Sequence, residues 1–140
     1  MELSDEKLIS YLKDSQTIAI IGLSDKEDRT SHRISAFMQA KGYKIIPINP
    51  KLAGQKILGE QVYASLKEVP ETIDIVNIFR RSEFLPAIAE EFVQTNAKVF
   101  WAQLGIENEE AVAILQKAKR YDIVMDRCIK IEYQRLIELD

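Results

Sequence analysis

Five short apolar runs, separated by amphipathic stretches, set the narrowest limit on how this chain folds. They are TIAII (17–21), YKIIPINP (43–50), IDIVNIF (73–79), KVFWA (98–102) and YDIVMD (121–126). Apolar, β-branched runs of this length are what strands buried on both faces of a parallel sheet require. Helical spacing fills the gaps. Ser4 is placed to cap a first helix with Leu8, Ile9 and Leu12 on one face. A second helix starts near Thr30 or Ser31, turns Ile34, Phe37 and Met38 inward, and stops at Gly42. Residues 57–70 read as a turn and a short helix. Ser82 is placed to cap a third helix reaching about Thr95, with Pro86 in its first turn. Residues 108–120 form a helix with acids first and bases last, and IKIEYQRLIEL forms a terminal one. Strand–helix alternation of this kind gives an α/β fold, a doubly wound, five-stranded parallel sheet (Rossmann-like), as a single domain over residues 1–140.

A chain of 140 residues is long enough to bury about two-thirds of its unfolded surface. Its net charge of −3 argues against duplex nucleic acid as a partner, because phosphate contacts need a basic face. No apolar run approaches the roughly 18 residues of a membrane span, so no membrane partner is expected. The charged opening MELSDEKLISYLKD is unlike a secretory signal, and the one cysteine, Cys128, cannot form an internal disulfide. A cytoplasmic location is expected, with a homodimer left open.

In a doubly wound sheet, ligands bind outside the carboxyl ends of the strands where strand order reverses. In a 3-2-1-4-5 order that point is expected between the strand ending at Gly22 and the strand ending at Phe79. Four loops then matter: 22–31, 49–52, 79–82 and 103–106. The first begins like a dinucleotide-binding turn but carries Ser24 and Glu27 where the second and third glycines belong. Gly22 permits close backbone approach, while Arg29, Ser31, Arg33 and the start of a helix suit an anion. The competing reading makes Ser31 an N-cap and pairs the arginines with Asp25, Glu27 and Asp28. The second loop has Asn49 and Lys51 where a nicotinamide site usually places an acid, which disfavours NAD and suits a ribose carrying an extra phosphate, as in coenzyme A or NADP. Arg80 and Arg81 leave the third strand together; Glu83 can neutralise one of them. Phe79 either stacks on a base or fills the core. Gln103 and Gly105 occupy the fourth loop, Gly105 as a close-approach or an ordinary turn glycine.

Residues that would turn a substrate over are not gathered in this sequence. His32, the only histidine, reads as a solvated side chain in a helix's first turn. Cys128 reads as a buried thiol, Trp101 as core, and Asp122 and Asp126 as brackets of the last strand. No Cys/His cluster has zinc spacing, so neither a metal site nor a catalytic constellation is expected.

Several motifs together resemble a known family. Gly-x-Ser followed by Arg-x-Ser, Asn-Pro after the second strand, Phe-Arg-Arg-Ser-Glu, Gln-x-Gly-Ile and Met-Asp-Arg-Cys, spread over about residues 15–136, are similar to the small stand-alone CoA-binding proteins of bacteria and archaea. That family is similar to the CoA-binding Rossmann domain of the succinyl-CoA synthetase α subunit. The resemblance implies coenzyme A contacts from Gly22, Leu23, Ser24, Arg29, Ser31, Asn49, Pro50 and Lys51. It implies that Phe79, Arg80, Arg81, Gln103 and Gly105 line the rest of the crevice. The ligase's phosphorylated histidine has no counterpart at a matching loop, so the resemblance implies binding of CoA or an acyl-CoA rather than its synthesis. Two alternatives stay open: an NADP-linked or acyl-CoA-processing enzyme, and a regulatory protein that senses CoA. Cys128, if it faces the pantetheine thiol, could form a mixed disulfide with CoA.

Overall fold

The computed structural model describes residues 3–138. Helix α1 (Asp5–Asp14) precedes β1 (Thr17–Ile21), α2 (Thr30–Ala40) and β2 (Lys44–Ile48). A small hairpin, β3 (Lys56–Ile57) and β4 (Glu60–Gln61), leads to β5 (Ile75–Ile78) and α3 (Leu85–Phe92). Then come β6 (Val99–Ala102), α4 (Glu109–Lys117), β7 (Ile123–Val124) and α5 (Ile129–Tyr133). All neighbouring strands of the five-stranded sheet are parallel, in the order β2-β1-β5-β6-β7. Counting only those five strands, the order is 2-1-3-4-5 rather than the expected 3-2-1-4-5. The third strand lies directly beside the first, which is what places the reversal of strand order between Gly22 and Phe79.

Both faces of the sheet are covered. Ile18, Ile20, Ile45, Ile75 and Trp101 pack with Leu8 and Leu12 of α1, Met38 of α2 and Ile129 of α5. Ala19, Ile46, Val76 and Phe100 pack on the other side with Ile88 and Phe92 of α3 and Leu115 of α4. Successive strand residues alternate between these two layers, so the strand interiors are apolar on both faces apart from Asn77 of β5. Pro47 sits in edge strand β2, where its carbonyl accepts from the Tyr63 N–H at 2.9 Å. Its missing N–H faces the same outer edge, where a sheet tolerates proline. At the opposite end of the sheet Asp74 accepts from the N–H groups of Gln16 and Thr17, at 2.7 and 3.2 Å, and ties the start of β1 to that of β5.

Four local expectations need correction. Within 57–70 the expected short helix is a single turn over Leu66–Glu68. The turn expected at the start of that stretch is part of a hairpin over residues 56–61, whose two turn residues Leu58 and Gly59 take φ of 55° and 78°. Leucine is costly there, and the usual Asn-Gly turn signal is absent. Ser82 caps nothing of its own helix: Arg81 precedes a single turn over Ser82–Phe84, and α3 begins at Leu85. The Ser82 hydroxyl instead accepts from the Glu107 N–H at 3.1 Å. The last strand is only two residues long, and α5 opens into a wider π-type turn over Gln134–Glu138.

Candidate functional site

Four of the expected site residues form one row across the sheet. The ladder runs one residue beyond each strand: Gly22 N–H donates to Ile48 O at 2.9 Å, Phe79 N–H to Ile21 O at 2.9 Å, and Gln103 N–H to Ile78 O at 3.3 Å. With the register Ile21↔Ile48, Ile21↔Ile78 and Ile78↔Ala102, the first residues past β2, β1, β5 and β6 stand side by side. These are Asn49, Gly22, Phe79 and Gln103. Strand alternation gives them the face that carries α1, α2 and α5.

Gly22 is the pivot of the row. Its φ is 86°, and a Cβ built on it would lie 2.6 Å from Phe79 O. Only glycine lets the first loop leave β1 so close to β5. Leu23, next along, is fully buried; its side chain belongs to the core, and only its backbone is available to a ligand. Ser24 through Ser31 fold into a loop held by its own serines. Ser24 N–H donates to Ser31 Oγ at 3.0 Å, and Lys26 N–H to Ser24 Oγ at 3.1 Å. Ser31 is therefore a loop tie rather than the cap of α2, whose N-cap is Arg29 without a side-chain cap bond. His32 is half-buried, not solvated: Nδ1 stands 2.9 Å from Ser24 O. A carbonyl only accepts, which assigns the proton to Nδ1. Two side chains of α2's first turn, Ser31 and His32, thus hold the first loop.

The second loop is tied to the first. Asn49 Nδ2 donates to Leu23 O at 3.0 Å, while its Oδ1 accepts from Lys51 N–H at 3.0 Å. Pro50 and Lys51 follow as exposed residues of one short turn. Both ends of the Asn49 amide thus hold loops, and Lys51 is exposed beside them.

The cations differ in how free they are. Arg81 pairs with Glu83 at 3.4 Å, as the sequence allowed, with both side chains mostly exposed. Arg80 stacks on Phe84, its guanidinium carbon 4.2 Å from the ring centre, and its side chain runs close beside Gly22. Arg33 donates to the main-chain carbonyl of Asp28 at 2.6 Å and not to a carboxylate. Among the described residues Arg29, Lys51 and Arg80 have no carboxylate partner. Asp25, Glu27 and Asp28 are exposed and form no ion pair among the described residues.

At the far end of the row, Gly105 (φ 83°) donates its N–H to Asp126 Oδ1 at 2.6 Å, and nothing lies within 4 Å of where its Cβ would be. It is a turn glycine latched to the last loop. Gln103 is buried, 5% exposed, and its Oε1 accepts from both Asn77 Nδ2 and Ile129 N–H, each at 3.0 Å. Cys128 is buried at the start of α5 beside this cluster. Asn77, fully buried in mid-strand, was not among the expected site residues; the sequence signal is a lone amide in the apolar run IDIVNIF.

Behind the site, Glu132 is 5% exposed and bonded to Arg127 Nη1 at 2.5 Å and Arg135 Nε at 2.8 Å. Burial pushes its carboxyl up, but the two guanidinium groups together hold it below its ordinary value. Arg135 also clasps Asp5 of α1 through both carboxylate oxygens, at 2.9 and 3.0 Å. No group of three or more metal-binding side chains comes together among the described residues. No helix there is long and apolar enough to cross a membrane.

This arrangement has close relatives. The Bacillus subtilis (strain 168) protein YneT is 51% identical over 130 residues, covering 93% of this chain and 94% of that one. A solved structure from Thermus thermophilus superposes with a TM-score of 0.91 at 31% identity, covering 96% of this chain and 100% of its own. The acetate–CoA ligase (ADP-forming) I α subunit of Pyrococcus furiosus is 29% identical over 124 residues; the match covers 81% of this chain and only 27% of that subunit. The profile of the CoA binding domain matches residues 16–134, from just before β1 to the end of α5, and the chain belongs to that family.

Proposed function

We propose that the chain binds coenzyme A or an acyl-CoA in the crevice above Gly22, Phe79 and Gln103, as a binding module without chemistry of its own. The observation that carries this is the set of unpaired cations on loops built around Gly22. Arg29, Arg80 and Lys51 lack carboxylate partners among the described residues, and the three acids of the 22–31 loop are exposed and pair with none of them. Cations left unneutralised around a turn that admits close backbone approach suit phosphate. In this reading the pyrophosphate lies on the 22–31 loop and Arg80, the 3′-phosphate near Lys51, and the pantetheine arm runs along the row toward Gln103. Arg81, already paired with Glu83, plays a lesser part. Pro50 and Gly105 shape the turns, and one copy of the chain supplies every residue named. A lone cysteine fits a reducing compartment, and we place the protein in the cytoplasm.

Calorimetric titration with CoA, 3′-dephospho-CoA, NADP and NAD, on protein stripped of carried-over ligand, tests this. The expected result is CoA bound at least about tenfold (roughly 1.4 kcal/mol) more tightly than its dephospho form. In Lys51→Ala that difference should largely vanish, with affinity for dephospho-CoA little changed. Preference for NADP would instead indicate an oxidoreductase, and binding of none of the four would overturn the site.

A further inference from the structure

Gln103 has one end of its amide fully used and the other end unused. Its Oε1 accepts two bonds, from Asn77 Nδ2 and from the Ile129 N–H that opens α5. Asn77 is itself held in place by a second bond from Nδ2 to Trp101 O at 3.3 Å. Turning the Gln103 amide over would bring NH₂ against two donors, so the oxygen must point inward and Nε2 the other way. Among the described residues no acceptor meets Nε2, although the side chain is more than nine-tenths buried. Nε2 is not sealed in the core as Asn77 Oδ1 is, so it is the end of the amide open to solvent and to a bound molecule that offers an acceptor.

Building on the coenzyme A site proposed above, we propose that Gln103 Nε2 donates to a carbonyl oxygen on the ligand's pantetheine–acyl arm. The surroundings select a neutral acceptor over a phosphate. Phe79, Trp101, Cys128 and Ile129 are the neighbours in the row, the layer beneath it and the start of α5, and none carries a formal positive charge. Of the guanidinium groups next to these residues in sequence, Arg127 is engaged with Glu132 and Arg80 is stacked on the Phe84 ring. A carbonyl on this arm has two sources, the pantetheine amides or the thioester of an acyl group.

The test compares wild type with Gln103→Glu, in which a carboxylate oxygen still accepts from Asn77 and Ile129 while the outer donor becomes an acceptor. Each protein is titrated with CoA, acetyl-CoA, the carbonyl-free thioether S-ethyl-CoA, and adenosine 3′,5′-bisphosphate, which lacks the arm. About tenfold weaker binding of the three CoA compounds, with the bisphosphate unchanged, supports donation to a pantetheine amide. Weakening confined to acetyl-CoA supports donation to the thioester. Equal losses for all four ligands, or no loss for any, overturn the proposal. If wild type binds none of them, the coenzyme A site itself falls. Should Gln103→Glu not fold, nitrogen-resolved NMR of wild type decides. The assigned Gln103 side-chain NH₂ signals shift on adding CoA or acetyl-CoA if the bond forms, and unchanged signals at saturation refute it.

Discussion

Gly22 carries two separate demands, a left-handed backbone and the absence of a side chain 2.6 Å from Phe79 O. Alanine there meets strain and a main-chain clash together, so Gly22→Ala should cost about 2 kcal/mol or more. Gly54, with φ 89° and open space around it, provides the control; Gly54→Ala should cost about 1 kcal/mol. Urea denaturation of the two variants checks the difference. If they lose equally, the close approach to Phe79 contributes nothing. Position 22 was legible from a single glycine after an apolar run. The roles of its neighbours were not: Leu23 faces the core and Ser31 ties a loop, and both facts depend on which way the chain turns after Gly22.

Helix α5 is short, and the Asp5–Arg135–Glu132–Arg127 chain of ion pairs ties it, the turn after it and the loop before it to α1. Removing the Glu132 charge leaves two arginines without their shared partner. Glu132→Gln should lower stability at pH 7 by about 1–3 kcal/mol. Because the folded carboxyl is held below its ordinary 4.5, its contribution is complete above that value and is lost as pH falls through the lower folded value. Wild type should therefore lose more stability than Glu132→Gln between about pH 5 and pH 3, as urea midpoints at each pH would show. Parallel losses would place the network outside the energetics of the fold. At this level most elements were legible from periodicity and from a cap: Ser4 accepts from Lys7 N–H, as its position suggests, whereas the cap of α4, Asn108, was read as part of the helix itself. The β3–β4 hairpin was not, because Leu58 occupies a left-handed position that its residue type disfavours.

For the molecule entire, stability against pH has two edges. The acid edge comes from Asp74 and Glu132, whose carboxyls burial pushes up but whose donors more than offset it. The alkaline edge comes from Tyr11, raised by burial and by the Asp122 carboxylate to which it donates, and from Tyr43, which burial and the nearby Tyr133 push from 10.0 to about 12. The neutral Tyr43 phenol donates to Leu12 O. That contribution is complete below pH 10.0 and is lost as pH rises through about 12. Melting temperature across pH should show a plateau between these edges, and Tyr43→Phe should soften the alkaline one. CoA at about a hundred times its dissociation constant should add about 2.7 kcal/mol throughout the plateau. A melting temperature indifferent to CoA at saturating concentration would contradict the proposed site.

The alternation of buried strands with amphipathic helices could be read directly, since a parallel sheet covered on both sides leaves its mark on every strand residue. The family also left its mark, because its motifs sit in loops of fixed position along the chain. Neighbours across the sheet were a different matter. The 2-1-3-4-5 order, the row of Asn49, Gly22, Phe79 and Gln103, and the outward donor of Gln103 all rest on contacts between residues tens of positions apart. Local preference carries no information about such contacts. They follow from which strand packs beside which, and that is decided by how the two apolar layers close around the sheet.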